Sequence, residues 1–175
     1  DEGSAGDGSY DGTQGNATSW SAADATDALM TRPCGRGYAA GVLLIKLDHV
    51  AFAVHDLDGA LAEYRRRFAA GSISREVVEE QGVEEAMIPV GGSFIQLLRP
   101  LGPDTPDGKF LEKRGEGLHH VAYAVPDIEA ALAHLAAEGA ELIDSEPRIG
   151  GRGARIAFVH PRGGNGVLTE LVELA

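Results

Sequence analysis

From residue 42 onward, apolar positions follow two periods that predict a small set of elements. The stretch 42–54, VLLIKLDHVAFAV, is rich in aliphatic and β-branched residues and predicts a strand. In LDGALAEYRRRF, Leu57, Leu61, Tyr64 and Phe68 fall at helical spacing, with Asp56 or Asp58 as the N-cap and Gly71 as the stop. Strands are predicted at 73–79, 84–90 and 93–99, with Gly91-Gly92 forming a tight hairpin between the last two. Residues 100–117 read as a Pro/Gly-rich connection with a short helix at FLEKR.

The second half repeats the first. The segment His49-Val-Ala-Phe-Ala-Val-His-Asp-Leu-Asp-Gly-Ala-Leu-Ala matches His120-Val-Ala-Tyr-Ala-Val-Pro-Asp-Ile-Glu-Ala-Ala-Leu-Ala at an offset of 71, with nine of 14 pairs identical. A helix bearing Ile128, Ala131, Leu132 and Leu135 follows, then Gly139 and predicted strands at about 141–146, 154–159 and 167–174. Each half therefore reads βαβββ. The modules cover about 42–99 and 118–175, joined by the linker 100–117. The last strands also correspond, SFIQLL against VLTELV, which pairs Gln96 with Glu170.

Strand alternation gives the repeat chemical content. Side chains alternate between faces with period two, so Val50, Phe52 and Val54 share one face and His49, Ala51 and Ala53 the other. The partner strand places His120, Ala122 and Ala124 likewise, and strict alternation puts His119 on the opposite face. A histidine followed by two alanines, twice over, predicts open volume above the sheet. If the two faces meet, His49, Gln96, His120 and Glu170 converge. Two imidazoles, an amide oxygen and a carboxylate suit a divalent ion of intermediate hardness, able to act as a Lewis acid. Taken singly, each of these residues reads as a surface or satisfied strand position; the duplication favours the site.

Composition and charge narrow the function classes. The net charge of −12 lacks the clustered Lys and Arg that nucleic acid or an anionic membrane requires, and no run of about 18 apolar residues occurs. The single cysteine, Cys34, excludes an internal disulfide and a thiolate zinc site. Residues 1–41 hold eight glycines and six acids against two bases, and read as a disordered, low-complexity tail dispensable for activity.

The motifs LDHVAFAV, EEQGVEEAMIPVG, FIQLLRP, FLEKRGEGLHHVAYAV and GGRGARIAFVHPRGGNGVLTELVEL extend over about 43–174. They resemble the vicinal oxygen chelate superfamily and, within it, the methylmalonyl-CoA epimerase family. The resemblance implies an α+β fold, two tandem βαβββ modules forming a cupped mixed sheet around a metal site. It implies metal ligands at His49, Gln96, His120 and Glu170, a catalytic base at Glu85, and Glu170 as the second acid/base. Without the resemblance, Glu85 beside Glu84 reads as an exposed strand carboxylate. It further implies cobalt(II), with manganese(II), nickel(II) or zinc(II) as other candidates, an acyl-CoA substrate and a homodimer; the single cysteine suits a reducing compartment and hence a bacterial cytoplasmic location.

The implied reaction interconverts (R)- and (S)-methylmalonyl-CoA through α-proton abstraction and enolate stabilisation. For the anionic CoA end, Arg148, Arg152 and Arg155 are the first candidates, with Arg162, Lys109, Lys113 and Arg114 behind them. Competing expectations are a glyoxalase I-like isomerase, a ring-cleaving dioxygenase, which Gln96 as a fourth ligand disfavours, and a metal-free ligand-binding module of the same fold.

Overall fold

The computed structural model describes residues 43–71 and 73–173. The predicted tail, 1–41, and Cys34 lie outside the described residues. Eight strands are described: β1 (Lys46–Ala53), β2 (Ser74–Val78), β3 (Val83–Val90), β4 (Ser93–Pro100), β5 (Gly117–Ala124), β6 (Arg148–Ile149), β7 (Arg155–Val159) and β8 (Leu168–Glu173). Three α-helices accompany them: α1 (Leu57–Phe68), α2 (Pro106–Arg114) and α3 (Ile128–Ala137). The strands form one sheet in the order β2-β3-β4-β1-β5-β8-β7-β6, an α+β arrangement in which a four-strand ladder occurs twice, back to back.

The repeat is visible down to its caps. Asp56 accepts from the Gly59 amide at 3.0 Å and starts α1; Asp127, at the equivalent place, accepts from Ala130 at 2.8 Å and starts α3. Helices α1 and α3 cover one face of the sheet. Val54, Leu57, Leu61, Ala86, Ile88 and Leu97 form the core of the first module. Val125, Ile128, Ala131, Leu132, Ala157, Val159 and Leu171 form that of the second. The opposite, concave face carries smaller apolar groups, Ala51 with Val83 and Leu98, and Ala122 with Ala154, Ile156 and Val172. The space above these two alanines is therefore largely filled. They let neighbouring strands close over the sheet, and the open volume is smaller than the alanine pattern suggests.

Two local expectations change. The strand predicted at 141–146 is reduced to a single bridge, Leu142 with Val159, and pairing resumes at β6. The Asp144 carboxylate accepts from the Phe158 amide at 2.9 Å, using a donor that a ladder would need, and Pro147 has no amide to offer. The short helix predicted at FLEKR starts earlier, because Thr105 caps it through the Gly108 amide (3.1 Å) and Pro106 occupies the first turn.

Two modules meet along the antiparallel seam between β1 and β5. Each is flanked by a parallel neighbour, β4 beside β1 and β8 beside β5. The seam is interrupted twice. Pairing moves from Leu47–Tyr123 to His49–Ala122, and from Ala51–His120 to Phe52–Leu118. Asp48 and His119 are the extra residues of these two β-bulges, and they too stand 71 apart. The bulge at His119 breaks strict alternation: its ring lies against His120, with the two Nδ1 atoms 2.9 Å apart, rather than on the opposite face.

Ala122 is fully buried among Ala154, Ile156 and Val172. Replacing it with leucine should overpack this layer and cost about 1–3 kcal/mol. Urea unfolding at equilibrium measures that loss; unchanged stability would mean that the concave layer has spare room.

Candidate metal centre and active site

The register of four strands assembles the site. Ala51 faces Gln96 on β4 and His120 on β5, while His49 faces Ala122, which in turn faces Glu170 on β8. One turn of register therefore projects His49, Gln96, His120 and Glu170 from the concave face into a common space. All four are buried, the two histidines at 3% exposure. The Nε2 atoms of His49 and His120 are 3.0 Å apart, and Glu170 Oε2 lies 2.9 Å from the first and 3.2 Å from the second.

Glu85, on β3, joins them. It pairs across the ladder with Leu98, on the same face as Gln96, and is 2% exposed. Its Oε2 accepts from Gln96 Nε2 at 2.7 Å, while Oε1 has no hydrogen-bond partner among the described residues. Glu84, its neighbour in sequence, faces the helix side and accepts from Arg75 (2.5 Å) and Arg99 (2.9 Å). Alternation thus gives the two adjacent glutamates opposite surroundings.

The electrostatics differ sharply within the cluster. Burial opposes the charge on His49, but the Asp48 and Glu170 carboxylates outweigh it and raise the imidazole to about 9. Burial alone would raise Glu170; the two imidazoles overcome it and hold the carboxyl at about 2. Burial lifts Glu85 to about 7, helped by the facing carboxyl of Glu76 and by Glu170, against the donated hydrogen bond from Gln96. Burial also lowers His119 to about 4.

A divalent ion fits these donors. Two imidazole nitrogens and a carboxylate oxygen of His49, His120 and Glu170 fall within 4.8 Å of one another. Gln96 Oε1 is buried without a hydrogen-bond partner among the described residues and borders the same cavity of about 20 Å³. That volume admits one water-sized occupant. Nitrogen and oxygen donors without thiolate match the middle of the first transition series. A larger cavity of about 360 Å³ adjoins, sharing Gln81 and His120 with the small one and bordered by Asp107, Arg148 and Phe158.

The candidate arginines separate. Arg152 borders the small cavity, donates to Asp48 Oδ2 at 2.5 Å and lies 5.1 Å over the Phe94 ring. Arg148 borders the large one and sits 5.4 Å over Phe158. Arg155 points to the helix side, where it pairs with Glu129 and Glu173, and it lines neither of these two cavities. Its parity with Ala157 and Val159, both in the helix-side core, explains the direction. Arg162 pairs with Glu141 at 3.0 Å, and Lys109 and Lys113 are exposed on α2. Gln81, which borders both cavities, and Asp48, which contacts His49, were not read as site residues from the sequence. The repeat offset of Asp48 and His119 was the available signal.

Residues 48–158 match the model of the glyoxalase/bleomycin resistance protein/dioxygenase superfamily. The chain belongs to this superfamily. Among similar proteins of the superfamily is the ethylmalonyl-CoA/methylmalonyl-CoA epimerase of Cereibacter sphaeroides, 40% identical over 131 residues, 74% of this chain and 98% of that one. A solved methylmalonyl-CoA epimerase in complex with methylmalonyl-CoA and NH4+ is 42% identical, with a TM-score of 0.73, over 77% of this chain and 96% of the other. The Mycobacterium tuberculosis methylmalonyl-CoA epimerase is 38% identical, also at a TM-score of 0.73, over 79% and 93%. Among the described residues, no helix is long and apolar enough to cross a membrane.

A superfamily metal site of this kind should bind in a pH-dependent way. Both imidazoles must be neutral to ligate, and Asp48 and Glu170 keep a proton on His49 up to about pH 9. Each ion bound below that pH displaces this proton, so affinity should rise about tenfold per pH unit between 6 and 8.5. Calorimetric titration with cobalt(II) measures the slope; affinity that is flat across this range would contradict the assignment of His49 as a ligand.

Proposed function

We propose that the protein is a metal-dependent methylmalonyl-CoA epimerase. The observation that carries this reading is the pairing of a buried His49–His120–Glu170 donor set with a buried, partly unpartnered Glu85 at the same small cavity. The identities of about 40% to proteins named as epimerases of methylmalonyl-CoA support it over a glyoxalase I-like isomerase. A metal-free binding module has no use for four buried donors whose desolvation is costly.

In this reading His49, Gln96, His120 and Glu170 hold the ion, with cobalt(II) favoured by the sequence resemblance. When bound, such an ion supplies Lewis-acid stabilisation of negative charge developing on a substrate oxygen. Glu85 is the base. Gln96 Nε2 fixes Oε2, which leaves Oε1 as the atom that receives the α-proton. Its raised affinity for protons, about 7, lets it accept and return one near neutral pH. Glu170 reaches the cavity from the other module and is the second acid/base, serving the opposite face of the carbon. Arg148 and Arg152 are the contacts for anionic parts of the acyl-CoA, with the 360 Å³ cavity receiving the arm next to the thioester. A homodimer, on the sequence resemblance, and a cytoplasmic location, on the single cysteine, complete the reading.

Glu85→Gln should retain cobalt(II) and lose about 10²–10⁴ in turnover. Methylmalonyl-CoA incubated in heavy water should gain α-deuterium with the wild-type protein and almost none with the variant. Absence of exchange with the metal-loaded wild type would overturn the epimerase reading.

A further inference from the structure

The paired β-bulges give the two histidines matching partners. Asp48 directly precedes His49, His119 directly precedes His120, and the pairs are 71 residues apart. Each extra residue is turned by its bulge toward the Nδ1 side of the ring that follows. Asp48 Oδ2 lies 2.9 Å from His49 Nδ1, and His119 Nδ1 lies 2.9 Å from His120 Nδ1. In both cases the Nε2 atoms face inward, toward each other and Glu170.

We propose that Asp48 and His119 are positioning residues, placed by these bulges, that hold the protons of His49 and His120 on Nδ1 and so present Nε2 to the ion. The proposal rests on the reading of His49 and His120 as metal ligands. Asp48 has only acceptor oxygens, so the hydrogen of this contact belongs to His49 Nδ1. Between two imidazole Nδ1 atoms, one donates and the other accepts. If His120 offers Nε2 as a lone pair, its proton is on Nδ1 and His119 accepts it. His119 then carries its own proton on Nε2, which faces Asp107 Oδ1 at 3.7 Å. That oxygen is buried and without a hydrogen-bond partner among the described residues, and at 3.7 Å it lies beyond hydrogen-bond distance of His119.

The surroundings hold both partners in place. Asp48 is fully buried, a costly location for a carboxylate that nothing in strand formation requires. Arg152, from the loop before β7, donates to Asp48 Oδ2 at 2.5 Å, and Lys46 Nζ approaches its Oδ1 at 3.8 Å. The Phe110 ring meets His119 edge-on with centroids 4.7 Å apart. A bulge that served only to twist the seam would leave its extra side chain free to reach solvent. Here the same device, used twice, delivers a polar group to the outer nitrogen of each ring, where partners orient metal-bound histidines.

The test reads ion affinity rather than turnover, so its outcome is separate from whether the bound ion serves an epimerase. Cobalt(II) affinity is measured by chelator competition for Asp48→Ala, Asp48→Asn, His119→Phe and His119→Gln, with circular dichroism to establish folding. Asp48→Ala and His119→Phe remove the acceptor and should weaken binding about 10–100-fold. Asp48→Asn and His119→Gln keep an acceptor oxygen and should recover affinity to within a few-fold of wild type. Wild-type affinity in the first pair overturns the proposal, as does equal loss in both pairs. Should the first pair fail to fold, ring-15N spectra of the zinc-loaded wild type decide. Protonated Nδ1 with metal-bound Nε2 on both His49 and His120 supports the proposal, and a metal-bound Nδ1 on either overturns it.

Discussion

The seam between β1 and β5 is the constraint on which the rest of the molecule depends. An antiparallel pair at a fixed register places His49 opposite Ala122 and Ala51 opposite His120. The parallel neighbours then bring Gln96 opposite Ala51 and Glu170 opposite Ala122. A one-residue slip in any of these ladders would send a donor to the helix side, because strand side chains alternate with period two. The helix-side cores prevent that slip. Phe52, Val54 and Leu97 in one module, and Val125 and Leu171 in the other, have apolar packing to lose if the register moves. The site is thus held from behind, by residues that never touch it.

Charge explains why such a site seeks a cation. The concave side buries Asp48, Glu85 and Glu170 around two imidazoles, with Arg152 as the cation at its rim. Without an ion, protons do part of the balancing, on His49 through Asp48 and Glu170 and on Glu85 through burial and its acidic neighbours. A divalent ion replaces protons as the compensating charge, which links metal occupancy to protonation of the same side chains. The closeness of His49 Nε2, His120 Nε2 and Glu170 Oε2 has the same origin: each group finds its best available partner among the other two.

Much of this was legible in the sequence because the repeat supplied two copies of each signal. One histidine before two alanines is ordinary; two at matched positions, followed by Gln96 and Glu170 at matched positions, specify a shared space. What stayed hidden was whatever breaks period two. A bulge adds a residue without a compositional mark, so His119 read as facing away although it lies on His120. The alanines marked the concave face but not its closure by Val83, Leu98 and Ile156. The missing strand at 141–146 depended on one carboxylate capturing the Phe158 amide, a tertiary event. Arg155 is different: its direction follows from the Arg155-Ile156-Ala157-Phe158-Val159 alternation, which places it on the face of Ala157 and Val159.

The two glutamates at the cavity show how one fold can divide acid–base labour. Glu85 and Glu170 are both nearly inaccessible, so burial penalises each carboxylate in the same direction. What separates them is the company each keeps. Glu85 sits beside Glu76 and within the influence of Glu170, with the Gln96 amide as a favourable contact, and is lifted to about 7. Glu170 sits between two imidazoles and is held at about 2. Like groups pushed this far apart differ in proton affinity: Glu85 takes up a proton near neutral pH, whereas Glu170 is an anion there. As the more acidic of the two, Glu170 is the better suited to ligate, since an ion need not displace a proton from it. In the proposed role of second acid/base it would be the weaker partner, and a bound ion would lower its basicity further. In the proposed epimerase reading, return of a proton to the opposite face of the carbon is therefore the more demanding half of the reaction, and Glu85, which can hold a proton at neutral pH, would serve the easier one.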